Sequence, residues 1–237
     1  MSLRITLATA LRVLTQLRRD PRTVVLIVLL HELFSGRSDI FQRVGGPLLG
    51  MFPFISMFVV TSITMLRERV TGTLERLMTM PVAKLDLLAG YGIAFGTMAA
   101  VQATLASAVA FGLLDLEVAG SKGAVLGLAV SNAILGTALG LFVSAFARTE
   151  FQAVQFLPAL VFPQLLLCGL FVPRDQMASL LQAASDVMPL TYAYDSLERV
   201  TAHGSFDSTA ARDLAVVIGV TLLGLALGAA TLRRRTG

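Results

Sequence analysis

The sequence predicts an all-α integral membrane protein, and three observations support this fold class. Of the 237 residues, 55% are hydrophobic and only 14% are charged, whereas soluble domains contain about 45–50% apolar and about 25% charged residues. The apolar residues come in runs of about 20, the length that a helix needs to cross a bilayer. No segment is polar enough to form a second, soluble domain, so we expect a single membrane domain over residues 1–237.

The first predicted element is an amphipathic helix within residues 1–20. Leu3, Leu7, Leu11 and Leu14 share one face of this helix, and arginines lie on the opposite face. A basic, moderately hydrophobic helix of this kind lies in the membrane interface and does not cross the bilayer. The segment has no continuous apolar core and no small-residue cleavage site, so we expect no cleavable signal peptide.

Six membrane spans are predicted from the apolar runs that follow. The first, residues 22–34, is short because His31 and Glu32 interrupt it before a full span length is reached. The other five are longer and cover residues 47–66, 87–114, 124–147, 151–172 and 214–232. Pro158 and Pro163 fall within the fifth span, so we expect that helix to be kinked or broken.

The basic residues predict how these spans are oriented. With the N-terminus inside, the inner segments hold 13 Lys and Arg residues and the outer segments hold 6. The positive-inside rule then predicts a multi-pass protein of the inner (plasma) membrane with both termini in the cytoplasm. Because these charges lie at the ends of apolar runs, their expected partner is the lipid bilayer and not nucleic acid.

Two segments outside the membrane are long enough to carry structure of their own. The segment 67–86 lies on the cytoplasmic side in this topology, and the segment 174–213 lies on the outer side. Residues 175–184 and 192–201 have helical patterning and are separated by Pro189. We expect them to form short helices that cap the outer face or dip partway back into the membrane.

Several function classes lack their usual residues in this sequence. It contains no Gly-Lys pair and therefore no phosphate-binding loop of the G-x-x-x-x-G-K-[ST] type. His31 and His203 have no partner at ligand spacing, so no metal site is expected. Outside the first span, no Asp, Glu, Lys or His lies near the middle of a span, where ion-coupled transporters place such residues. We expect no enzyme activity, no cofactor bound by this chain, and an energy source outside it.

Polar and bulky side chains within the spans support two interpretations. In the first, they form hydrogen bonds and packing contacts between helices. In the second, they line a pathway for a hydrophobic or amphipathic substrate. The residues concerned are Phe54, Phe58, Gln102, Asn132, Gln155 and Gln164.

The most informative segment is Arg67-Glu68-Arg69-Val70-Thr71-Gly72-Thr73-Leu74-Glu75-Arg76-Leu77, which closes on Pro81. Gly72 permits a sharp turn out of the second span. Glu75 lies in the first turn of a short helix, where the helix dipole favours a carboxylate, and Pro81 ends that helix. The pattern fits a surface anchor for the loop and a docking element for another protein equally well.

This segment resembles the cytoplasmic loop motif of ABC-2 type transporter permeases, in particular the daunorubicin/doxorubicin-resistance type of multidrug efflux permease. A second stretch, Cys168-Gly169-Leu170-Phe171-Val172-Pro173 followed by Pro189-Leu190-Thr191-Tyr192-Ala193, is similar to the family's Gly-x-Phe-x-Pro and Pro-Leu-Thr-Tyr sequences. Two departures accompany the resemblance. Val70 stands where family members often carry Glu, and the first span is shorter than theirs.

The resemblance implies the permease subunit of an ATP-binding cassette exporter for hydrophobic or amphipathic compounds such as drugs and antibiotics. It implies two copies of an ATP-binding cassette subunit, which bind ATP and Mg²⁺, and a second copy of this permease or a related one. It places coupling to the ATPase at Glu68, Thr71, Gly72, Thr73, Leu74, Glu75, Arg76, Leu77 and Pro81. It places an exit gate at Gly169, Phe171, Pro173, Pro189 and Tyr192.

Other functions stay open at this level. A lipid or lipid-linked glycan is an alternative cargo within the same family. An ATP-independent channel or secondary transporter would carry cargo without any partner. A membrane protein that only recruits or regulates an ATPase would bind the partner and carry nothing.

Overall fold

The computed structural model describes residues 29, 32, 38–73, 76–77 and 84–231. All regular structure in these ranges is helical, as the sequence predicts. The α-helices are α1 (Ser38–Val70), α2 (Lys84–Gly112), α3 (Lys122–Val143), α4 (Glu150–Phe156), α5 (Phe162–Leu167), α6 (Ser179–Asp186), α7 (Pro189–His203) and α8 (Ser208–Ala230). A π-helical segment, Leu157–Val161, joins α4 to α5, and a 3₁₀ turn at Arg174–Gln176 precedes α6.

Five stretches within these ranges are long and apolar enough to cross a membrane. They are Val44–Val70, Gly90–Gly112, Lys122–Val143, Glu150–Leu167 and Ser208–Ala230. They overlap the second to sixth predicted spans but differ from them at their ends, and the largest difference is at the start of the last, Ser208 against the predicted residue 214. The predicted interfacial helix (1–20) and, apart from Leu29 and Glu32, the predicted first span (22–34) lie outside the described residues, so the count of six stays a prediction.

The long helices define two ends of the bundle. Arg67, near the end of α1, contacts Glu150 at the start of α4, and we call this the Arg67 end. Val44, near the start of α1, lines a cavity together with Gly169 and Arg174, and we call this the Val44 end. The two ends are about 34 Å apart along α1 at the usual helical rise.

Glycines bring α1 and α3 into close contact. A methyl group at Gly136 would lie 2.2 Å from the Phe54 carbonyl oxygen, and one at Gly140 would lie 2.5 Å from the Phe58 carbonyl oxygen. Small residues four positions apart let two helix backbones approach closely in a membrane. This contact, Gly136 and Gly140 against Phe54 and Phe58, is called the glycine seam below. Both residue numbers rise together across it, so α1 and α3 run parallel.

The fifth predicted span is broken, as its prolines predict. In a regular α-helix the ring of Pro163 would clash with the carbonyl of Ala159. The chain widens there instead, and the Phe162 N–H donates to the carbonyl of Leu157, five residues earlier. We call Glu150–Leu167 the broken span. Within the described residues, 17% of it is buried, against 61% of the most apolar part of Val44–Val70.

The helices at the Val44 end pack into the bundle more deeply than a surface cap would. The two short helices predicted on either side of Pro189 are present as α6 and α7, and Pro189 itself occupies the first turn of α7, where its missing N–H costs nothing. One face of α7 is buried against the spans through Leu190, Ala193 and Leu197. A methyl group at Gly50 of α1 would lie 2.2 Å from the Leu197 side chain, so α7 and α1 are also in close contact.

Candidate functional site

The charged segment after α1 begins with a glycine turn. Gly72 has a φ of +71°, a conformation that glycine adopts without strain. The Thr71 hydroxyl and the Thr71 N–H both donate to the Arg67 carbonyl, at 2.7 and 2.9 Å. The predicted sharp turn at Gly72 is therefore confirmed. We call residues 71–73 the glycine turn.

Of the residues after the glycine turn that are predicted to couple to an ATPase, only two are among the described residues. Arg76 and Leu77 are helical, and Leu77 packs against the cluster around Met65 and Tyr91. Helical structure therefore resumes after the glycine turn and rests on the bundle. The other three, Leu74, Glu75 and Pro81, lie outside the described residues.

Glu68 and Val70 face different surroundings at the end of α1. The Glu68 side chain is only 5% exposed, so it faces the bundle, whereas Val70 is 67% exposed. A partner approaching the Arg67 end would therefore meet an apolar side chain there and would not meet Glu68 directly.

Two contacts link the end of α1 to later helices. The Arg67 guanidinium donates to both carboxylate oxygens of Glu150, with Nε–Oε1 at 2.6 Å and Nη2–Oε2 at 2.8 Å. Arg69 donates to the Thr231 hydroxyl, just after α8, at 3.0 Å. The sequence placed Arg67 and Glu150 on the same side of the membrane but not in contact, because 83 positions separate them.

A small apolar cluster lies beside the Arg67–Glu150 pair. Leu66 of α1 packs with Ala147 and Ala153, which flank the start of α4, and all three are buried. Ile63 and Phe156 complete the cluster. The broken span therefore touches α1 near the Arg67 end through both polar and apolar contacts.

The aromatic residues proposed to line a pathway lie in helix contacts within this chain. Phe54 and Phe58 have no exposed surface, and their backbones form one side of the glycine seam. Asn132 is buried beside Gly50. These three positions support the packing interpretation in the single chain, and a pathway along them stays a prediction.

The three glutamines proposed to line a pathway differ in whether they contact another helix of this chain. Gln102 of α2 donates to the Ser56 hydroxyl of α1 at 2.7 Å. Gln164 of α5 accepts from the Leu190 N–H of α7 at 3.3 Å. Both are therefore the helix-to-helix hydrogen bonds that the sequence allowed as one interpretation. Gln155 is exposed, so of the six proposed pathway residues it is the one free to face lipid or a partner.

A cavity of about 660 Å³ opens at the Val44 end beside the predicted exit gate. Three of the five predicted gate residues, Gly169, Phe171 and Pro173, line it. Gly169 has a φ of +107°, so a side chain at this position would strain the turn that follows α5. The other residues that line the cavity are Val44, Leu170, Arg174, Asp175, Tyr194, Asp195, Glu198 and Arg199.

Pro189 and Tyr192, the other two predicted gate residues, are not among the residues that line the cavity. Pro189 starts α7, and the Tyr192 hydroxyl donates to the Asp186 carbonyl at 2.7 Å. This contact joins α7 to the end of α6. Both residues thus position the cavity and do not line it.

Arg174 ties the chain after the broken span to α6 and α7. Its Nη1 donates to Asp195 Oδ2 at 2.8 Å, and its Nη2 donates to Asp186 Oδ1. Burial raises the pKa of Asp195 to about 6, although the Arg174 charge opposes the shift. The sequence contained each of these residues, but only the fold brings the three charges together.

Asp213 is a buried carboxylate that the sequence placed outside the membrane. The last span is predicted to begin at residue 214, whereas helix α8 begins earlier, because Asp207 caps it by accepting from the Ala210 N–H at 2.8 Å. Asp213 therefore lies inside α8 and is 4% exposed. An Asx cap ahead of the apolar run was the sequence signal for this earlier start.

Metal binding has no support in the part of the chain that the structure describes. No three His, Cys, Asp or Glu side chains come together there in a group that could hold an ion.

Comparison with known proteins gives a match over most of the chain. A sequence model of the family described as ABC-2 type transporter matches residues 9–200. The chain is 25% identical to ABC transporter G family member 20 of Dictyostelium discoideum over 154 residues, which are 65% of this chain and 21% of that protein. It is 26% identical to the probable multidrug ABC transporter permease YbhR of Escherichia coli (strain K12) over 65% of this chain and 42% of that protein.

A further relative is the linearmycin resistance permease protein LnrN of Bacillus subtilis (strain 168). Identity to it is 25% over 175 residues, which are 71% of this chain and 43% of that protein. The chain therefore spans less than half the length of each of these relatives. The glycine turn and the cavity residues up to Arg199 both lie within the range that the family model matches.

Proposed function

The chain belongs to the ABC-2 type transporter family, and on this premise we propose that it is the membrane-spanning permease subunit of an ATP-driven exporter. ATP is bound and hydrolysed by a separate ATP-binding cassette subunit, because this sequence has no phosphate-binding loop. One observation carries the proposal: α1, which packs closely on α3 and α7, ends in the glycine turn, where Thr71 is exposed and Gly72 turns the chain. A partner pressing there would push on one of the two most buried spans in the described part of the chain.

The proposed coupling element is the segment from Thr71 to Pro81, which begins with the glycine turn, and Glu68 lies buried beside it. Two ATP-binding cassette subunits would each hold one such segment, one on each of two permease copies. Closure of the ATPase pair on ATP and Mg²⁺ would bring the two segments together and change which end of the bundle is open. The proposed docking requires the Arg67 end to lie in the cytoplasm, and the excess of basic residues on that side supports this orientation.

The broken span of this chain offers a surface on which the second permease copy, or a related permease, would pack. Phe151, Phe162 and Leu166 project from it and are 71%, 49% and 59% exposed. In a membrane, such side chains face lipid or another helix. We propose that two permeases enclose the substrate pathway between them, and that Gln155 on this same span faces it.

The proposed cargo is a hydrophobic or amphipathic compound such as a drug or an antibiotic. The names of the relatives support this class, since one is called a probable multidrug permease and another a linearmycin resistance permease. Release would occur past Gly169 and Phe171 into the cavity at the Val44 end. A lipid or lipid-linked glycan is the alternative cargo within the family.

The proposal is tested by reconstituting the chain with its ATP-binding cassette subunit in inside-out vesicles. ATP-dependent accumulation of doxorubicin, followed by its fluorescence, is the expected result, with a panel of labelled lipids tested in parallel. Replacing Glu75 and Leu77 together should abolish ATP-dependent accumulation and weaken binding of the partner subunit.

Vesicles that hold the permease alone are the control. Accumulation in them without ATP would replace the proposal with a channel or secondary transporter. Binding of the partner with no cargo movement for any drug or lipid would indicate a protein that only recruits or regulates the ATPase.

A further inference from the structure

The Arg67 end joins the glycine turn to the broken span through a single residue. The Arg67 carbonyl accepts from both the Thr71 hydroxyl and the Thr71 N–H. The Arg67 side chain forms the two-pronged ion pair with Glu150. Any displacement of the glycine turn is therefore applied directly to the residue that holds the start of α4.

The pairing with Arg67 fixes the orientation of the Glu150 carboxylate as well as its distance from the guanidinium. Two parallel N–H···O bonds between a guanidinium and a carboxylate hold both groups in one plane, which a single hydrogen bond does not. Glu150 is also the first residue of α4, and Thr149 caps this helix by accepting from the Gln152 N–H at 3.2 Å. The carboxylate that Arg67 holds is thus built into a well-formed helix start.

The helix that Glu150 begins is suited to transmit movement. The broken span is buried over 17% of its length within the described residues, so few contacts within this chain oppose its tilting. Its π-helical turn gives it a place to bend. Its far end leads directly to Gly169 and the cavity at the Val44 end.

We propose that Arg67 and Glu150 are positioning residues for transport, linking the coupling segment to the broken span and so to the exit cavity. This inference rests on the proposed function. A purely stabilising role is the competing explanation, and it has little support. The two side chains are 63% and 51% exposed, and exposed ion pairs contribute little to stability.

The test uses the full chain in complex with its ATP-binding cassette subunit in lipid nanodiscs. Spin labels at Leu166→Cys and Leu113→Cys, in a Cys168→Ser background, report the distance from the far end of the broken span to the end of α2. Leu113 and Leu166 are exposed, whereas Cys168 is buried. ATP with vanadate is expected to shift this distance in the otherwise native complex.

Four variants decide the role of the pair. Arg67→Glu and Glu150→Arg should each reduce the shifted fraction about two- to fivefold, with the partner subunit still bound. The double variant that exchanges the two charges should restore the shift. Arg148→Glu, an exposed reversal two positions from Glu150, should leave it unchanged. Unfolding temperatures of all variants confirm that each is folded.

The outcomes separate this inference from the proposed function. If the native complex exports cargo with ATP but the single reversals leave the shifted fraction unchanged, the link is wrong and the exporter stands. If the exchanged pair fails to restore the shift, or if the native complex exports cargo with no shift at all, the link is also wrong. If the native complex shows no ATP-driven export, the proposed function fails first.

Discussion

Helix α1 and the broken span contrast within one bundle. Both cross its full length and both contain prolines, yet the most apolar part of Val44–Val70 is 61% buried and the broken span is 17% buried. Helix α1 touches the backbone of α3 across the glycine seam, whereas the broken span keeps contact with α1 mainly near the Arg67 end. Close backbone packing makes a rigid element, and a widened turn with few neighbours makes a movable one.

The largest expected effect comes from a substitution in the glycine seam, which packs α1 against α3. Gly136→Ala should destabilise the protein by about 1–3 kcal/mol, because the new methyl group meets the Phe54 backbone and not a movable side chain. Thermal unfolding in detergent measures the change.

Gly96→Ala on α2 is the matched control for this substitution. No atom lies within 4 Å of a methyl group built at Gly96, so alanine there should be neutral or stabilise by about 0.5–1 kcal/mol. Equal unfolding temperatures for the two variants would contradict close packing at the seam.

The second test concerns Asp195, which pairs with Arg174 and so holds the chain that follows the broken span. The pKa of Asp195 is raised to about 6 in the folded protein, above the usual value of about 3.9. The native state therefore retains this proton where the unfolded chain loses it. The stability that the retained proton provides is fully present below about pH 4 and is lost as the pH rises to about 6.

Asp195→Asn should remove this dependence and make the protein more stable above pH 6 by about 1–2 kcal/mol, after allowance for partial exposure. The measured quantity is the difference in unfolding free energy between native and variant protein from pH 4 to pH 7. Asp175→Asn, on an exposed carboxylate nearby, supplies the reference for general charge effects. A difference that does not vary with pH would contradict the raised pKa.

The third test removes one of the prolines that bend the broken span. Pro163→Ala relieves part of the ~3 kcal/mol that a proline costs inside a helix, so stability should rise by about 1 kcal/mol. A straighter broken span should at the same time export less cargo per ATP hydrolysed. Higher stability with undiminished export would show that the bend has no part in transport.

The smallest expected effect lies in a polar contact of the rigid side. Gln102→Leu removes the hydrogen bond to Ser56 and should cost about 0.6 kcal/mol, the average for such bonds between membrane helices. A double-mutant cycle with Ser56→Ala isolates this value from other effects of the substitution. A coupling energy near zero would mean that the contact contributes only packing.

Local features were predictable from the sequence, and contacts between distant segments were not. Gly72 and Pro163 act through their own backbone restrictions, so the turn and the break could be predicted. Arg67 and Glu150 were placed on the same side of the membrane, but their pairing depends on how two helices pack. The helical position of Asp213 was missed because the apolar run, and not the Asp207 cap, was taken as the start of α8.

The candidate site was predictable to a similar extent. The sequence identified the segments that carry the glycine turn and the cavity. It could not decide whether Phe54 lines a pathway or packs against a helix, because both roles need a large apolar side chain. Only the neighbouring glycines of α3, which leave no room between the backbones, distinguish the two roles in the single chain.

The parallel course of α1 and α3 has a consequence for how the protein is made. Parallel neighbours cannot be consecutive in the chain, so α1 enters the bilayer before the ribosome has synthesised the glycines that will receive it. Lipid acyl chains must cover Phe54 and Phe58 in that interval. When α3 arrives it expels those lipids, so assembly of this region is a late, post-insertion event that a nascent chain stopped within α2 cannot complete.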